Sequence, residues 1–246
     1  MPLHSAIAKD DLSSIVIVTG NYPPAINNLA NDKGYISRLV SDAFALAGIE
    51  TEFVFVPWAR GLRMAELGGE ACIMYYTKTA DRDKAFTFSE PLFEEEWLFF
   101  HLKSTLIKWQ KLTDLSRFIF GATLSYSYSE EFHKLADDET LNVNWVARDK
   151  QNWQMLMAGR IDIFPSAKTG WYQLRQLYSD RDIQKITTHA KPLKKQLNYL
   201  LFSKEHPNAD YFRVKFNQGF AKLKQLRPIS DYIPDSEGQS WPIATE

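Results

Sequence analysis

Hydrophobic positions along this chain switch repeatedly between a period of two and a helical period. Ser14 to Thr19 (SIVIVT) is a short β-branched run ended by Gly20-Asn21 and Pro23-Pro24, so it predicts a buried strand entering a loop. From Tyr35 to Ala47 the apolar residues Ile36, Leu39, Val40, Ala43, Phe44 and Ala47 share one helix face, and Gly48 is the stop signal. Glu52 to Val56 predicts a second strand, Trp58 to Leu67 a second helix and Cys72 to Tyr76 a third strand. Strand, helix, strand, helix, strand is the pattern of a parallel α/β sheet.

After Pro91 the pattern changes. Trp97 to Leu102 (WLFFHL) is strongly β-forming, and Lys103 to Asp114 is mixed and polar around Trp109, as expected where a chain leaves one lobe. A second α/β unit follows. Its predicted strands are Phe118 to Ala122, Leu141 to Val146 and Ile161 to Phe164, and its predicted helices are Glu130 to Leu135, Gln151 to Ala158 and a segment around Trp171 to Leu177. Lys195 to Phe202 is again apolar and extended, and Ala209 to Leu226 is an amphipathic helix. The expected architecture is α/β with two lobes, residues 12–103 plus 196–246 and residues 104–195, joined by two hinge strands. Each lobe is a mixed or parallel sheet flanked by helices, and a ligand cleft is expected between them, where small-molecule sites preferentially form. Loops at the carboxyl ends of the strands then hold Tyr22, Thr77 to Arg82, Ser125 to Ser129 and the segment just after Ile161.

Composition narrows this picture by exclusion. Lys plus Arg number 29 against 30 acidic residues, which gives no basic field for nucleic acid and no acidic tail. Hydrophobic residues at 45% and charged ones at 24% are ordinary for a globular chain of 246 residues. The start, MPLHSAIAKDD, has no cationic stretch followed by an apolar core, so no signal peptide is expected there, and no apolar run is long enough to span a bilayer. Cys72, the single cysteine, sits in an apolar run and reads as a buried, inert thiol.

The candidate chemistry concentrates in YYTKTADRDKAFTFSEP, residues 75–91. An arginine among hydroxyls can hold a carboxylate bidentately while the hydroxyls donate to its other lone pairs, so Thr77, Thr79 and Arg82 form a possible anion clamp. The alternative is an exposed loop in which Arg82 pairs with Asp81 or Asp83. The five histidines are scattered, and the chain has no G-x-S-x-G elbow, no H-E-x-x-H and no phosphate-cradling G-x-x-x-x-G-K. Neither catalytic residues nor a metal or other cofactor are expected.

Several short segments occur in a telling order: Tyr22-Pro23-Pro24, Gly34-Tyr35, Pro57-Trp58, Thr77 to Arg82, Phe86-Thr87-Phe88-Ser89-Glu90-Pro91 and Ala158-Gly159-Arg160-Ile161-Asp162. Over about residues 12–225 they resemble the bacterial periplasmic solute-binding proteins of the amino-acid ABC transporter type, extracellular solute-binding family 3, which have the type II periplasmic-binding fold. The resemblance implies roles. Arg82 would pair with a ligand α-carboxylate, helped by Thr77 and by a donor at Ser127; Asp162 would receive the α-ammonium; Tyr22 and Trp58 would flank the side chain. Arg60, from a Pro-Trp-x-Arg arrangement shared with a less characterised branch, would add a second cation, and Tyr126 and Tyr128 would line the cleft. Each has a structural alternative: Asp162 ending a strand against Arg160, Trp58 in the core, Arg60 solvated, the tyrosines packed beneath the surface.

The chain also departs from the pattern. Ser37 and Arg38 stand where an acidic residue is usual, Gly68-Gly69-Glu70-Ala71 replaces Gly-x-x-Asp, and Ile163 to Lys168 carries a proline and a lysine in place of a polar run. These changes leave a dicarboxylate or another organic anion open beside an amino acid. The implied function is a monomeric periplasmic receptor, its leader removed, that closes on an amino acid or related small carboxylate and delivers it to an ABC transporter permease. The alternatives are a sensing domain of the same fold and a dehydratase-type enzyme using the same cleft.

Overall fold

The computed structural model describes residues 12–124 and 126–233; the stretch read for a leader (1–11), Ser125, and residues 234–246, expected in the first lobe, lie outside the described residues. The chain begins with β1 (Ser14–Thr19), α1 (Tyr35–Ala45), β2 (Glu50–Phe55), α2 (Trp58–Glu66), β3 (Cys72–Thr77), α3 (Ala80–Ala85) and β4 (Phe86–Phe88). It continues with β5 (Phe93–Leu102), β6 (Ile119–Thr123), α4 (Glu130–Asp137), β7 (Asn142–Val146), α5 (Asp149–Met157) and β8 (Ile163–Ala167). After these come α6 (Gly170–Leu177), α7 (Asp180–Ile183), β9 (Ile186–Thr188), β10 (Lys194–Ser203) and α8 (Ala209–Leu226).

Two compact units result, one running to Phe93 and resuming over Leu197–Ile233, the other Glu94–Gln196. In the first, the sheet order is β2-β1-β3-β10, with β4 also on β10. β1 runs parallel to β2 and β3, while β10 is antiparallel to β3 and β4. Ile15 and Ile17 face a core completed by Leu39, Phe44, Phe216 and Phe220, and Val18 faces the opposite core with Ile73, Phe86 and Leu201. A strand covered on both faces has no polar positions to alternate, which is why SIVIVT reads as one apolar run.

β3 breaks the two-residue period once. Cys72 and Met74 face the α1 side and Ile73 the other, but Tyr75 falls on the α1 side too, with a left-handed φ of 70°. The register with β10 steps from Leu200↔Met74 to Tyr199↔Tyr76, so Tyr75 is an extra, bulged residue. For a residue with a Cβ, that conformation costs about 1–2 kcal/mol. Its consequence is to turn Tyr76 onto the face where α2 begins.

The second unit has the order β5-β8-β6-β7, with β9 on β5. β6 is parallel to β7 and β8; β5 is antiparallel to β8 and β9. Along β5, Trp97 and Phe99 enter one core with Leu115, Phe120 and Phe132, and Leu98 and Phe100 enter another with Trp153, Phe164 and Trp171. β5 therefore belongs to this unit, and the contact boundary falls at Phe93/Glu94 where the sequence division is drawn at 103/104. β8 lies further along the chain than its pattern suggests. A proline normally ends a strand, yet Pro165 sits opposite Phe99 inside the β5 ladder, and all five residues of β8 are buried.

Candidate functional site

In the first unit, four sequence-selected groups come together around the end of β3. Arg82 Nη1 donates to the Thr77 carbonyl at 2.7 Å and to Thr77 Oγ1 at 2.8 Å. The guanidinium carbon lies 5.0 Å from the centre of the Tyr76 ring. Thr79 caps α3, its Oγ1 accepting from the Arg82 amide at 3.3 Å, so the arginine is fixed at both backbone and side chain. The two neighbouring acids are taken by lysines, Asp81 by Lys84 at 2.8 Å and Asp83 by Lys78 at 3.5 Å. Among the described residues no carboxylate pairs with half-buried Arg82. Burial pushes the Tyr76 phenol up to about 12, with the arginine charge pulling the other way.

Trp58 meets this group edge-on, its ring 5.4 Å from Tyr76 at 82°. The indole lies against Gly20, where a Cβ would come within 2.2 Å of Trp58 Cε2. Tyr22 packs 5.9 Å from bulged Tyr75. Arg60 is exposed, and among the described residues no hydrogen bond, ion pair or ring contact joins its side chain to these groups.

In the second unit, the turn after β6 carries the paired tyrosines. Tyr126 donates its hydroxyl to Asp149 Oδ2 at 3.1 Å, and Thr123 Oγ1 donates to Asp149 Oδ1 at 2.5 Å. Tyr128 is buried; its phenol oxygen accepts from the Thr123 amide at 2.8 Å. Both rings stand edge-on to Trp97, at 5.9 and 5.6 Å. Ser127 is exposed, and its carbonyl oxygen accepts from Lys194 Nζ, which lies 4.7 Å from the centre of the Trp97 ring. Burial pulls the Lys194 ammonium down to about 8, against the attraction of Glu95. Burial, then the nearby Asp149, pushes the Tyr126 phenol upward.

No family model and no curated protein matches the sequence. Solved structures do resemble it. The ligand-binding core of GluR0 from Nostoc punctiforme, in complex with L-glutamate, has a TM-score of 0.67 at 15% identity over 90% of this chain and 98% of that one. Substrate-binding domain 2 of GlnP from Lactococcus lactis, in an open conformation, has a TM-score of 0.68 at 16% identity over 96% and 98%. A histidine kinase sensor domain with similarity to periplasmic binding proteins has a TM-score of 0.67 at 15% identity over 94% and 98%. This chain has the type II periplasmic-binding fold.

Within that fold Asp162 is placed away from the turn residues. Its carboxylate accepts from the Ile119 amide at 2.9 Å, at the amino ends of the parallel strands β6 and β8. Thr123, Tyr126 and Asp149 gather at the carboxyl end of β6, so the structure does not bring Asp162 to them. The expectation set the segment just after Ile161 in a loop at a strand's carboxyl end; β8 is found at Ile163–Ala167, so Asp162 stands just before the strand's entry. Asp162 does not pair with Arg160 either; the backbone amide takes that place. Three residues around these groups are not among those selected from sequence. Tyr76 is hidden by the bulge, Asp149 by a helix that starts two residues before its apolar pattern, and Lys194 by its 67-residue separation from Ser127. The acidic first turn of α5 is the one local signal for Asp149.

Proposed function

We propose that this chain is a receptor for a small solute bearing a carboxylate, an amino acid or a related organic acid, captured by closure of two lobes and delivered in the periplasm to an ABC transporter permease. The observation that carries the reading is Arg82. Its guanidinium is half-buried, held by Thr77 and Tyr76, and has no carboxylate of its own among the described residues. A fixed cation of this kind, with unused donors in a planar fork, is matched to a carboxylate. Tyr22 and Trp58 supply apolar surface nearby in the same unit, and Tyr126, Tyr128 and Ser127 are the corresponding groups of the second. The fold supports the reading as well, because two of the structures that share it are described as a glutamate complex and a substrate-binding domain. We read the chain as a binder and not an enzyme, working without cofactor or metal and as a monomer.

A second reading, a ligand-sensing domain in signalling, is favoured by one specific likeness, that to the kinase sensor domain. It shares the binding step and differs only in how the bound state is used.

The test is a thermal-shift screen against amino acids, dicarboxylates, monocarboxylates and uncharged sugars, repeated on Arg82→Ala. A ligand at a hundred times its dissociation constant adds about 2.7 kcal/mol to folded stability. The expected result is stabilisation by one class of carboxylate and its loss in the variant. Stabilisation by sugars alone, or an undiminished shift in Arg82→Ala, would overturn the proposal; consumption of the ligand over hours would make the protein an enzyme.

A further inference from the structure

The turn that carries Tyr126, Ser127 and Tyr128 is fastened from outside by two side chains that have no part in the proposed capture of a solute. His133, on the first turns of α4, takes the Tyr128 amide: the backbone N–H donates to Nε2 at 3.1 Å. Lys194, at the start of β10, donates Nζ to the Ser127 carbonyl and, at 3.4 Å, to the Tyr128 carbonyl. One side chain thus satisfies the donor of the turn and the other its acceptors.

An imidazole that accepts at Nε2 holds its proton on Nδ1 and is neutral. Adding a proton to the Nε2 lone pair removes the acceptor, and the bond from Tyr128 breaks; no other change of charge in the turn is needed. The ring lies flat on Trp145 of β7, 5.8 Å between centroids at 11°, and is approached edge-on by Phe132. Of the titratable groups, Tyr128 faces it from the turn, and Glu130, Lys134, Asp137 and Asp138 share with it an open cavity of about 490 Å³ on α4.

Lys194 has Glu95 and the Trp97 ring facing it from β5, and its neighbour Lys195 is paired with Glu96 at 2.8 Å. Its lowered pKa, about 8, leaves the ammonium charged at neutral pH and neutralises it in mild base. Near neutrality Lys194 is therefore in the form that holds the turn.

We propose that His133 and Lys194 are positioning residues that lock the Tyr126–Ser127–Tyr128 turn, and that acid releases the turn through His133. The link from the turn to solute affinity rests on the receptor reading; the lock itself does not.

The experiment is NMR amide exchange of Tyr128 in the solute-free, full chain at pH 7.5 and pH 5, corrected for the intrinsic pH dependence of exchange. Protection in the wild type is expected to fall at least tenfold at pH 5. His133→Gln, whose amide oxygen accepts at any pH, is expected to keep its protection at both, and His133→Ala to lose it at both. Lys194→Met is expected to lower protection at pH 7.5 while leaving the acid response in place. A wild-type amide equally protected at the two pH values, or His133→Gln opening at pH 5 like the wild type, overturns the proposal. Adding L-glutamate or succinate separates the two readings: a turn that opens as expected in a protein that binds neither probe, nor any carboxylate of the screen, sinks the receptor and leaves the lock standing.

Discussion

The Tyr76 hydroxyl donates to the Trp58 carbonyl oxygen at 2.9 Å, so the side chain that cushions Arg82 also ties the first residue of α2 to β3. Tyr76→Phe keeps the ring under the guanidinium and against the indole and removes only the donor. A net hydrogen bond of this kind is worth about 1 kcal/mol. Urea unfolding is expected to show that loss at an unchanged denaturant slope, and calorimetry to show solute affinity within twofold of wild type. A loss of binding with stability intact would assign the hydroxyl itself to the solute.

Gly20 sets how deeply Trp58 can seat. Alanine there would place Cβ 2.2–2.5 Å from three indole atoms, and the ring has to move. Overpacking of this size costs about 1–3 kcal/mol. Gly48→Ala is the control: its φ of 75° strains any Cβ, but nothing lies within 4 Å of the new atom. Both variants are expected to lose stability, and Gly20→Ala alone to shift tryptophan emission and weaken solute binding. An unmoved emission spectrum in Gly20→Ala would show that Trp58 is not held by this contact.

Residue types and periods are legible at the places where one segment determines its own structure. β1 and α8 have the bounds that their apolar patterns give, and Thr77 and Arg82, five residues apart, meet as their chemistry suggests. The short α3, which carries Arg82, reads as loop in the sequence, because six residues give no helical period. Tyr75 carries no turn residue to announce its bulge; the left-handed backbone is imposed by pairing with β10, more than a hundred residues later. Pro165 misleads in the opposite sense, a strand breaker accommodated inside β8, and so the strand reads as ending at 164. Lys194 reaches the turn at 126–128 only through tertiary structure, and His133, five residues from Tyr128, is marked by no pattern in the chain.

Asp162 fastens the entry of β6 through the Ile119 amide. Asp162→Ala removes the acceptor of the Ile119 amide at the entry of β6 and is expected to cost about 1–2 kcal/mol. Asp162→Asn retains an acceptor oxygen and should recover most of it. Neither is expected to change solute affinity, whereas Arg82→Ala is. Calorimetry with any solute from the screen decides: tighter or weaker binding in Asp162→Asn, at wild-type stability, would return this carboxylate to the site.

Lys194 should leave a signature in the dependence of stability on pH. Burial lowers its folded pKa from 10.5 to about 8. Between those values the unfolded chain holds a proton that the folded chain has released, so stability rises with pH across that window. The buried phenols act in the opposite sense and later. Tyr76, Tyr126 and Tyr128 have folded pKa values raised above 10, so the unfolded chain loses those protons first and their contribution falls only above about pH 10. Burial also holds the Cys72 thiol well above its ordinary range, so its contribution falls near pH 9, and in the window from pH 8 to 9.5 it is the difference from Lys194→Met that isolates the lysine. The wild type is expected to gain stability relative to Lys194→Met across it, and to show no relative change below pH 7. Because Nζ keeps some access to solvent, the slope should be well short of that for one full proton. Urea midpoints measured in both proteins at half-unit steps test this, and a constant difference across the window would show that the folded lysine is not desolvated.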